Sequence, residues 1–461
     1  MKDINFVDRE SEMEYLEGIN AKNGRQLVVL YGRRRVGKTE LAAHFAKGKN
    51  SIYFLADKRG TQSNAGRFAS TCAAHFNDVA PTVKNFDDVF LYVKNRAKDE
   101  RIIVIVDEFS YLVEKDESVP SVFQLVYDEV LKGTNVFLIL AGSSMSMMYK
   151  GALSYESPLY GRRTGEWMLR SMPFREIRKF YPGLSFEEAV SAYAIIGGIP
   201  AYAAQFDGRN IFEGIRSNIL KKGEFLYREP ELLLREELRE PSTYLSILEA
   251  MSKNAKLTNI ANAARIPAKD MPKYLKVLED LELTYRIVPV TEKKSKKALY
   301  FMKDNFFNFW FTFVYPRKFV LEEGKANEVL KIIKRDFNSY VGKAFERVCS
   351  EYLEDKRPVN FTRIGKWWGY AKEEGKKGRT LEEIDIVALD EDSKTILFAE
   401  CKWKDDVDAA SLLDSLKEKA KKVVWNNGDR KEYFAVFAKS FKRSIKEDGC
   451  FLFDSTQLSK R

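Results

Sequence analysis

The sequence is poor in the residues on which most metal and redox sites depend. Its 461 residues include two histidines and four cysteines, and no two cysteines are spaced as Cys-x-x-Cys. This scarcity argues against a zinc site and against histidine-dependent catalysis, and it favours a reducing cytoplasm. Any chemistry must therefore come from carboxylates, lysines and phosphate-binding loops.

Long apolar runs are also missing. No run approaches about 18 consecutive apolar residues, so we expect no membrane span. The first ten residues, MKDINFVDRE, contain no apolar signal core, which agrees with a cytoplasmic protein. The length allows roughly two to four domains, each with its own core.

Acidic residues are outnumbered by basic ones. The chain has 77 Lys and Arg against 67 Asp and Glu, a net charge of +10 and a pI near 9.0. An excess of this sign favours a polyanionic partner, above all nucleic acid. Many nucleotide-binding enzymes are also basic, so the charge alone leaves both interpretations open.

The clearest motif in the chain is a phosphate-binding loop. Residues 27–45, LVVLYGRRRVGKTELAAHF, join an apolar run to a helical pattern through a loop that fits G-x-x-x-x-G-K-[ST]. The loop N–H groups would bind phosphate oxygens, Lys38 would neutralise the β- and γ-phosphates, and Thr39 would offer its hydroxyl to Mg²⁺. The predicted ATP-binding residues are Gly32, Arg33, Arg34, Arg35, Val36, Gly37, Lys38 and Thr39.

Two further apolar runs end in polar side chains that suit the same site. RIIVIVDEFSYL (101–112) ends its run at Asp107 and Glu108, and continuous runs of this kind indicate buried parallel strands. Asp107 would hold the Mg²⁺ shell, and Glu108 would orient the attacking water. VFLILAGSS (136–144) would place the Ser143 hydroxyl near the γ-phosphate.

A pair of arginines precedes another short strand. LYGRRTGEWMLRSM (159–172) contains Arg162 and Arg163. They could stabilise transition-state charge from the same chain or from a neighbouring copy, which makes a homo-oligomer a possibility. Paired arginines are also common on surfaces, so both interpretations stay open.

Several segments, taken together, carry a resemblance to a known family. They are FVDRE (6–10), GRRRVGKT (32–39), VDEF (106–109), AGSS (141–144), YGRRTG (160–165), GGIPAY (197–202), LLREELREPSTY (233–244), EIDIVAL (383–389) and AECKW (399–403). On these segments the chain resembles archaeal-type prokaryotic ATPases of the AAA+/STAND class, which carry a C-terminal domain related to PD-(D/E)xK restriction endonucleases. The resemblance implies that FVDRE packs near the adenine and that Pro200 contacts the nucleotide.

The resemblance and the apolar patterns predict an α/β fold in several domains. We expect a P-loop parallel-sheet ATPase domain with a helical lid, then a winged helix, then a restriction-endonuclease-like α/β domain. The expected boundaries are 1–172 for the ATPase domain, 173–240 for the lid, 241–304 for the winged helix, 305–330 for an aromatic linker and 331–461 for the nuclease-like domain.

The winged helix is predicted from three helical segments and a β-like pair after residue 241. Its wing would carry Lys293, Lys294, Lys296 and Lys297, which could meet DNA phosphates, although such modules also contact proteins. The aromatic stretch DNFFNFWFTFVYP (304–316) could stack on bases, but burial between domains is the favoured interpretation.

A second candidate site lies in a predicted hairpin near the C-terminus. EIDIVALD (383–390) alternates in polarity, and SKTILFAECKW (393–403) is apolar up to Glu400. With the turn at residues 390–393, Asp385 mirrors residue 398, a couple of positions from Glu400. Glu400 and Lys402 share one strand face because they are two residues apart.

This hairpin matches the PD-(D/E)xK pattern with the spacing Asp-x14-Glu-x-Lys, although Ile384 stands where the pattern has proline. Asp385 and Glu400 would ligate Mg²⁺, helped by the Cys401 carbonyl, and Lys402 would position or deprotonate the attacking water. Glu346, on the preceding helix, would assist.

Two functions are therefore in contention. The first is an ATPase whose nucleotide state gates a Mg²⁺-dependent nuclease acting on DNA. The second is a non-cleaving STAND-like switch that regulates binding of DNA or of an unidentified protein partner through the winged helix. Asp385, Glu400 and Lys402 separate the two, because a pure switch would not need them.

Overall fold

The computed structural model describes residues 6–7, 9–292, 295, 297–372 and 379–460. The chain divides into two compact units, Met1–Ser171 and Met172–Arg461. The division falls one residue from the predicted end of the ATPase domain. The other predicted boundaries lie within the second unit and stay predictions.

The first unit is built on a parallel sheet. Its strands are β1 Gln26–Tyr31, β2 Ser51–Leu55, β3 Ile102–Asp107, β4 Val136–Gly142 and β5 Gly165–Met168, in the order β2-β3-β4-β1-β5. The four strand pairings of this sheet are parallel, and β3 and β4 are buried along their whole length. Their continuous apolar sequences agree with a sheet that is covered on both faces. The predicted parallel-sheet ATPase domain is confirmed.

Helices surround this sheet and fill its faces with aromatic side chains. They are α1 Glu10–Asn20, α2 Lys38–Ala46, α3 Thr61–His75, α4 Phe86–Ala97, α5 Phe109–Lys115, α6 Val119–Leu125 and α7 Met145–Met148, with short π or 3₁₀ turns at Val126–Val130, Tyr149–Leu153 and Tyr160–Arg162. On one face Phe68 contacts Phe54, Phe86 and Phe90, and Phe123 packs on the last two. Because all strands run the same way, the segments after β1, β3 and β4 meet at one edge of the sheet.

The second unit begins with a helical region. Its helices are α8 Phe174–Ile177, α9 Phe186–Ile196, α10 Pro200–Ala203, α11 Ile211–Gly214, α12 Glu229–Glu237, α13 Pro241–Lys253, α14 Leu257–Ala264, α15 Met271–Asp280, α16 Asn305–Phe309 and α17 Lys318–Glu322. Shorter turns lie at Arg178–Phe180, Ile215–Ile219, Phe225–Tyr227, Trp310–Val314 and Tyr315–Arg317. Strands β6 Thr284–Ile287 and β7 Leu299–Met302 form an antiparallel pair after α15. Lys293, Lys294 and Lys296 lie outside the described residues.

The aromatic stretch 304–316 is a core element. Phe306, Phe307, Phe309, Trp310 and Phe311 are each 0% exposed. The indole N–H of Trp310 donates to a buried main-chain carbonyl, that of Tyr227, at 3.0 Å. The prediction of burial is confirmed, and these rings are not a surface on which bases could stack.

A mixed sheet closes the second unit. Its strands are β8 Arg363–Lys372, β9 Arg379–Asp390, β10 Thr395–Lys402, β11 Lys431–Ala438 and β12 Cys450–Phe453, and its helices are α18 Ala326–Lys356, α19 Ala409–Lys421 and α20 Ser455–Ser459. The order is β12-β11-β10-β9-β8, antiparallel from β8 to β10 and parallel from β10 to β12. Helix α19 makes the crossover that a parallel pair requires.

The register of β9 and β10 differs from the predicted one. Thr395 pairs with Asp390 and Ala399 pairs with Ile386, so the next position of the ladder sets Asp385 opposite Glu400. The prediction that Asp385 mirrors residue 398 is wrong by two residues. The reason is local: Asp390 belongs to the strand, and its carboxylate accepts from the Ser393 N–H (3.1 Å) and hydroxyl (2.6 Å), so the turn comprises residues 391–394.

Candidate functional site

The phosphate-binding loop joins β1 to α2 and depends on two glycines. Gly32 has φ +154°, and a Cβ there would lie 2.2 Å from the carbonyl oxygen of Leu169. Gly37 has φ +93° and precedes the first turn of α2. A side chain at either position would clash or strain the backbone, so the loop requires glycine at both.

Lys38 lies within the curve of this loop. Its ammonium donates to the carbonyl oxygens of Gly32 (2.8 Å) and Arg33 (2.9 Å), and the residue is 6% exposed. Arg33 is also buried, and the guanidinium of Arg34 donates to the Tyr111 hydroxyl at 3.2 Å. The ammonium therefore lies beside the loop N–H groups, where phosphate would bind.

An N-terminal arginine, which sequence reasoning did not single out, supports the loop from behind. The guanidinium of Arg9 donates to the carbonyl oxygens of Val36 and Arg170, both at 2.9 Å, and pairs with Glu12 at 2.9 Å. In the sequence, Arg9 is marked only by its place in FVDRE (6–10). Asp8 of this segment lies outside the described residues. Phe6 of the same segment stacks on His44 at 4.0 Å, and its predicted packing near adenine stays a prediction.

Three donors fix the Asp107 carboxylate at the end of β3. Oδ2 accepts from the hydroxyls of Thr39 (2.7 Å) and Tyr53 (2.5 Å), and Oδ1 accepts from the Glu108 N–H (2.8 Å). Burial, together with the Asp107 carboxylate, raises the pKa of Tyr53 well above its usual value. Thr39 and Asp107 therefore meet as predicted, while Tyr53 had no sequence signal.

Glu108 and Ser143 also meet at this edge. The Ser143 hydroxyl donates to the Glu108 carboxylate, at 2.9 and 2.8 Å from its two oxygens, and the Ser110 hydroxyl lies 3.2 Å from Oε2. Glu108 has φ +54°, which is unusual for a residue with a side chain and is typical of functional positions. The predicted roles toward water and γ-phosphate stay predictions.

Arg162 and Arg163 lie at the other edge of the sheet. Gly165 pairs with Val28, near the start of β1, whereas the phosphate-binding loop follows the end of that strand. Arg163 pairs with Glu166, which lies opposite Val29, so its side chain extends from the start of β5 toward the middle of β1. Arg162 pairs with Asp128 at 3.0 Å. Both roles, toward the same chain and toward a neighbouring chain, stay predictions.

Pro200, the remaining residue of the predicted nucleotide site, belongs to the second unit. It occupies the first position of α10, where its missing N–H and fixed φ suit a helix start. Its predicted contact with the nucleotide stays a prediction.

The C-terminal site is centred on Glu400, near the end of β10. Glu400 is 5% exposed, and Lys402 donates to its Oε1 at 2.8 Å. Lys419, on α19, donates to both carboxylate oxygens at 3.1 Å. Burial lowers the pKa of Lys402, but Glu400 and Asp385, with a smaller contribution from Cys401, together raise it by more, so the net shift is upward and the ammonium stays charged.

Asp385 lies beside Glu400 on the neighbouring strand. Its carboxylate accepts from the Cys401 N–H at 2.9 Å. Burial, and then the charges of Glu346 and Glu400, raise its pKa to about 6. The structure therefore brings together the four residues that the sequence assigned to this site.

Glu346 reaches the site from α18 and is paired with Lys366 of β8. Burial lowers the pKa of Lys366, but Glu346, with a contribution from Asp385, raises it by more. The sequence did not single out Lys366 or Lys419, because both lie outside the hairpin, in β8 and α19, and Lys419 is one of three lysines on its helix. The site therefore contains three acidic residues and three lysines.

The two sites fit Mg²⁺ to different degrees. At the first, the hydroxyl of Thr39 and the carboxylate of Asp107 converge, and both are oxygen ligands of the kind Mg²⁺ prefers. At the second, Asp385 and Glu400 adjoin, and the pKa of Asp385 is raised by burial and by the charges of Glu346 and Glu400, all of which a bound cation would offset. Within the described part of the chain, no three His, Cys, Asp or Glu residues are grouped closely enough to hold a metal ion.

The parallel sheet, the glycine-bounded loop and the carboxylate at the end of β3 define a Walker-type, ATP-binding P-loop ATPase domain. Residues 6–206 match the family described as "ATPase domain predominantly from Archaea". Residues 310–423 match the family described as "Archaea bacterial proteins of unknown function".

An uncharacterized protein of Methanocaldococcus jannaschii is 37% identical over 464 residues, which cover 98% of this chain and all of that protein. The chain belongs to the same family as this protein, one of archaeal-type ATPases with a C-terminal domain of unknown function. The resemblance is thereby confirmed for the ATPase domain.

Two solved structures are similar at a lower level. The Walker-type ATPase of Pyrococcus abyssi is 21% identical with a TM-score of 0.47, covering 66% of this chain and 95% of that chain. The ORC1 protein of Aeropyrum pernix, solved in complex with DNA, is 13% identical with a TM-score of 0.35, covering 69% and 95%. Among the helices of the described residues, none is long and apolar enough to cross a bilayer.

Proposed function

We propose that the nucleotide state of the ATPase domain gates a Mg²⁺-dependent, nuclease-like site in the C-terminal domain that acts on DNA. The observation that carries this proposal is the juxtaposition of Asp385 and Glu400 on paired strands, with Lys402 beside them. Two adjoining carboxylates and a lysine are the groups that metal-dependent cleavage of a phosphodiester needs.

The order of elements supports the proposal. A long helix (α18), three antiparallel strands (β8 to β10), a helix (α19) and a parallel strand (β11) follow one another, as in PD-(D/E)xK restriction endonucleases. Helices α13 to α15 and the β6–β7 pair have the order of a winged helix. The net charge of +10 suits DNA as the partner.

In the ATPase domain, each residue has a distinct task. The loop N–H groups and Lys38 would bind the β- and γ-phosphates, with Thr39 and Asp107 as the residues that would hold Mg²⁺. Glu108 would orient the attacking water once it is released from the Ser143 hydroxyl. Arg162 or Arg163 would complete the site of a neighbouring copy.

In the C-terminal domain, Asp385 and Glu400 would hold Mg²⁺ with help from the Cys401 carbonyl. The ion, when bound, lowers the pKa of a coordinated water and offsets charge on the phosphate. Lys402 stays protonated beside Glu400, so it suits orienting the water or the phosphate better than removing a proton. Glu346 would hold Lys366 toward the same site.

One observation favours the alternative, a non-cleaving switch. Glu400 already has two lysine partners and Glu346 has one, so these carboxylates are neutralised without a metal. A domain balanced in this way could bind a DNA backbone or a protein partner without cutting. ATP binding would then regulate partner binding through the winged helix.

A cleavage assay separates the two functions. The protein is incubated with supercoiled plasmid and with single-stranded DNA, in Mg²⁺ or Mn²⁺, with and without ATP. We expect nicking that Lys402→Ala reduces by on the order of 100-fold. Lys38→Ala should abolish ATP hydrolysis and remove the dependence of nicking on ATP.

Lys404→Ala is the matched control for Lys402→Ala, because Lys404 is an exposed lysine two residues further on. It should cut as the wild type does. If the wild type and Lys402→Ala show the same background nicking in every condition, the nuclease function fails. DNA binding that changes with ATP in the wild type, but not in Lys38→Ala, would then support the switch.

A further inference from the structure

A tyrosine with no assigned role reaches the metal-binding edge of the ATPase domain. Tyr53 lies on β2, opposite Ile105 of β3, two residues before the level of Asp107. Two residues of strand span about 6.6 Å, which the length of a tyrosine side chain can bridge. Its hydroxyl lies 2.5 Å from Oδ2 of Asp107.

This hydrogen bond is one of three that the Asp107 carboxylate accepts from described residues. Thr39 and Tyr53 both donate to Oδ2, and the Glu108 N–H donates to Oδ1. All three donors are uncharged, so they fix the orientation of the carboxylate without cancelling its negative charge. Asp107 is 1% exposed, and a buried carboxylate that loses a donor becomes less well oriented.

We propose that Tyr53 is a positioning residue that holds Asp107 in the orientation needed for Mg²⁺ in the ATP site. The inference rests on the proposed role of Asp107 toward Mg²⁺. It concerns the metal rather than the nucleotide, because Tyr53 contacts the carboxylate and the loop N–H groups do not depend on it.

The test compares ATP affinity with and without metal. Fluorescent ATP binding is titrated in EDTA and again in saturating Mg²⁺, for the wild type and for Tyr53→Phe, which removes the hydroxyl and keeps the ring. We expect an unchanged dissociation constant in EDTA and a roughly 3- to 10-fold higher one in Mg²⁺, on the scale of the net contribution of one hydrogen bond. The Mg²⁺ concentration for half-maximal ATP hydrolysis should rise by a similar factor.

Tyr92→Phe is the matched control. The Tyr92 hydroxyl donates to another aspartate of the same unit, Asp78, at 3.0 Å, on an exposed part of α4. Its loss should change neither dissociation constant. The pair of variants therefore distinguishes a tyrosine–aspartate bond at the site from one elsewhere on the domain.

The outcomes separate failure of the inference from failure of the proposed metal role. If Tyr53→Phe binds ATP as the wild type does in both conditions, or weakens binding equally in both, the inference is wrong. Thr39→Ala serves as the reference for loss of the metal. If the wild type itself gains no affinity from Mg²⁺, the role proposed for Asp107 fails first.

Discussion

The two candidate sites hold their carboxylates in opposite ways. Around Asp107 and Glu108 the donors that the described residues provide are hydroxyls and a backbone N–H, all of them uncharged. Around Glu400 and Glu346 the donors are lysine ammonium groups. The first arrangement keeps negative charge for an incoming cation, whereas the second has already neutralised it.

This difference teaches what each site must do before it can act. Asp107 can take up a cation without displacing a lysine, because its donors among the described residues are two hydroxyls and a backbone N–H. If the C-terminal site binds Mg²⁺ as proposed, Lys402 or Lys419 would first have to move away from Glu400. A nuclease regulated by a second domain could use that requirement, since rearranging the lysines is a natural point of control.

The largest expected effect comes from removing both lysines of Glu400. Lys402→Ala combined with Lys419→Ala leaves a 5%-exposed carboxylate without its two ion-pair partners. We expect the free energy of unfolding to fall by about 3 kcal/mol, and by less in either single variant, because one lysine can serve for both. Urea unfolding at neutral pH without metal measures this.

Adding Glu400→Gln to that double variant should restore most of the lost stability, because no unpaired charge remains. Lys404→Ala with Lys421→Ala is the matched control, since both lysines are exposed. The prediction is wrong if the double variant loses less than about 1 kcal/mol in its free energy of unfolding and this loss equals the sum of the two single losses. Glu400 would then not depend on its lysines for stability.

A second prediction uses the pH dependence of Asp385. Its pKa is about 6 in the folded protein and near 3.9 when unfolded, so the folded state binds the proton more tightly. The contribution of Asp385 to the free energy of unfolding is therefore largest below about pH 4 and is lost as pH rises through about 6. Asp385→Asn should remove this loss and gain on the order of 1–3 kcal/mol at pH 7. Urea unfolding from pH 4 to 7 measures the slope.

Asp390→Asn provides a control, because the pKa of Asp390 is shifted in the opposite direction and its effect on stability should have the opposite pH dependence. Hydrogen bonds from Ser393 lower the pKa of Asp390, so the wild type should lose stability relative to this variant as pH falls. If millimolar Mg²⁺ reduces the gain of Asp385→Asn at pH 7, Asp385 binds the ion. A gain that is independent of both pH and Mg²⁺ would contradict the assignment.

The smallest effect is expected at the far edge of the first sheet. Arg162→Ala breaks a pair with Asp128 in which each side chain is about one-third exposed, so it should cost at most about 1 kcal/mol in thermal unfolding. ATP affinity should be unchanged, because the pair with Asp128 holds the Arg162 side chain near Arg25, at the start of β1, whereas the phosphate-binding loop follows the end of that strand. If Arg162 serves a neighbouring copy, the rate of ATP hydrolysis per wild-type molecule should rise with protein concentration, because copies associate. The rate per molecule of the variant should not rise. Loss of ATP affinity would contradict the placement.

The ATP site was predictable because its parts are contiguous or lie at strand ends. The loop from Gly32 to Thr39 is a single segment, and parallel strands bring their carboxyl ends to one edge, which places Asp107 and Ser143 there. Tyr53 was not predictable in the same way. Its hydroxyl crosses from one strand to the next, and nothing in an apolar strand sequence indicates which tyrosine will do so.

The C-terminal site was predictable in its members and not in its register. The alternation around Asp385 and the Glu-x-Lys spacing at Glu400 identified the hairpin, but the turn was placed one residue too early. Lys419 was missed for a different reason. It is one of several lysines on α19, and only the packing of the helix on the sheet selects it as the partner of Glu400.

The turn at residues 391–394 acts as a spacer for chemistry at the far end of its strands. It is fixed by Asp390, which bonds Ser393, and by Lys394 in a left-handed conformation, φ +52°. Shortening it by one residue would slide one strand past the other and turn a whole set of side chains to the other face. Asp385 and Glu400 would then lose their opposition although both residues were still present. A change of length in an exposed turn can thus remove a site although all the residues of its sequence motif are still present.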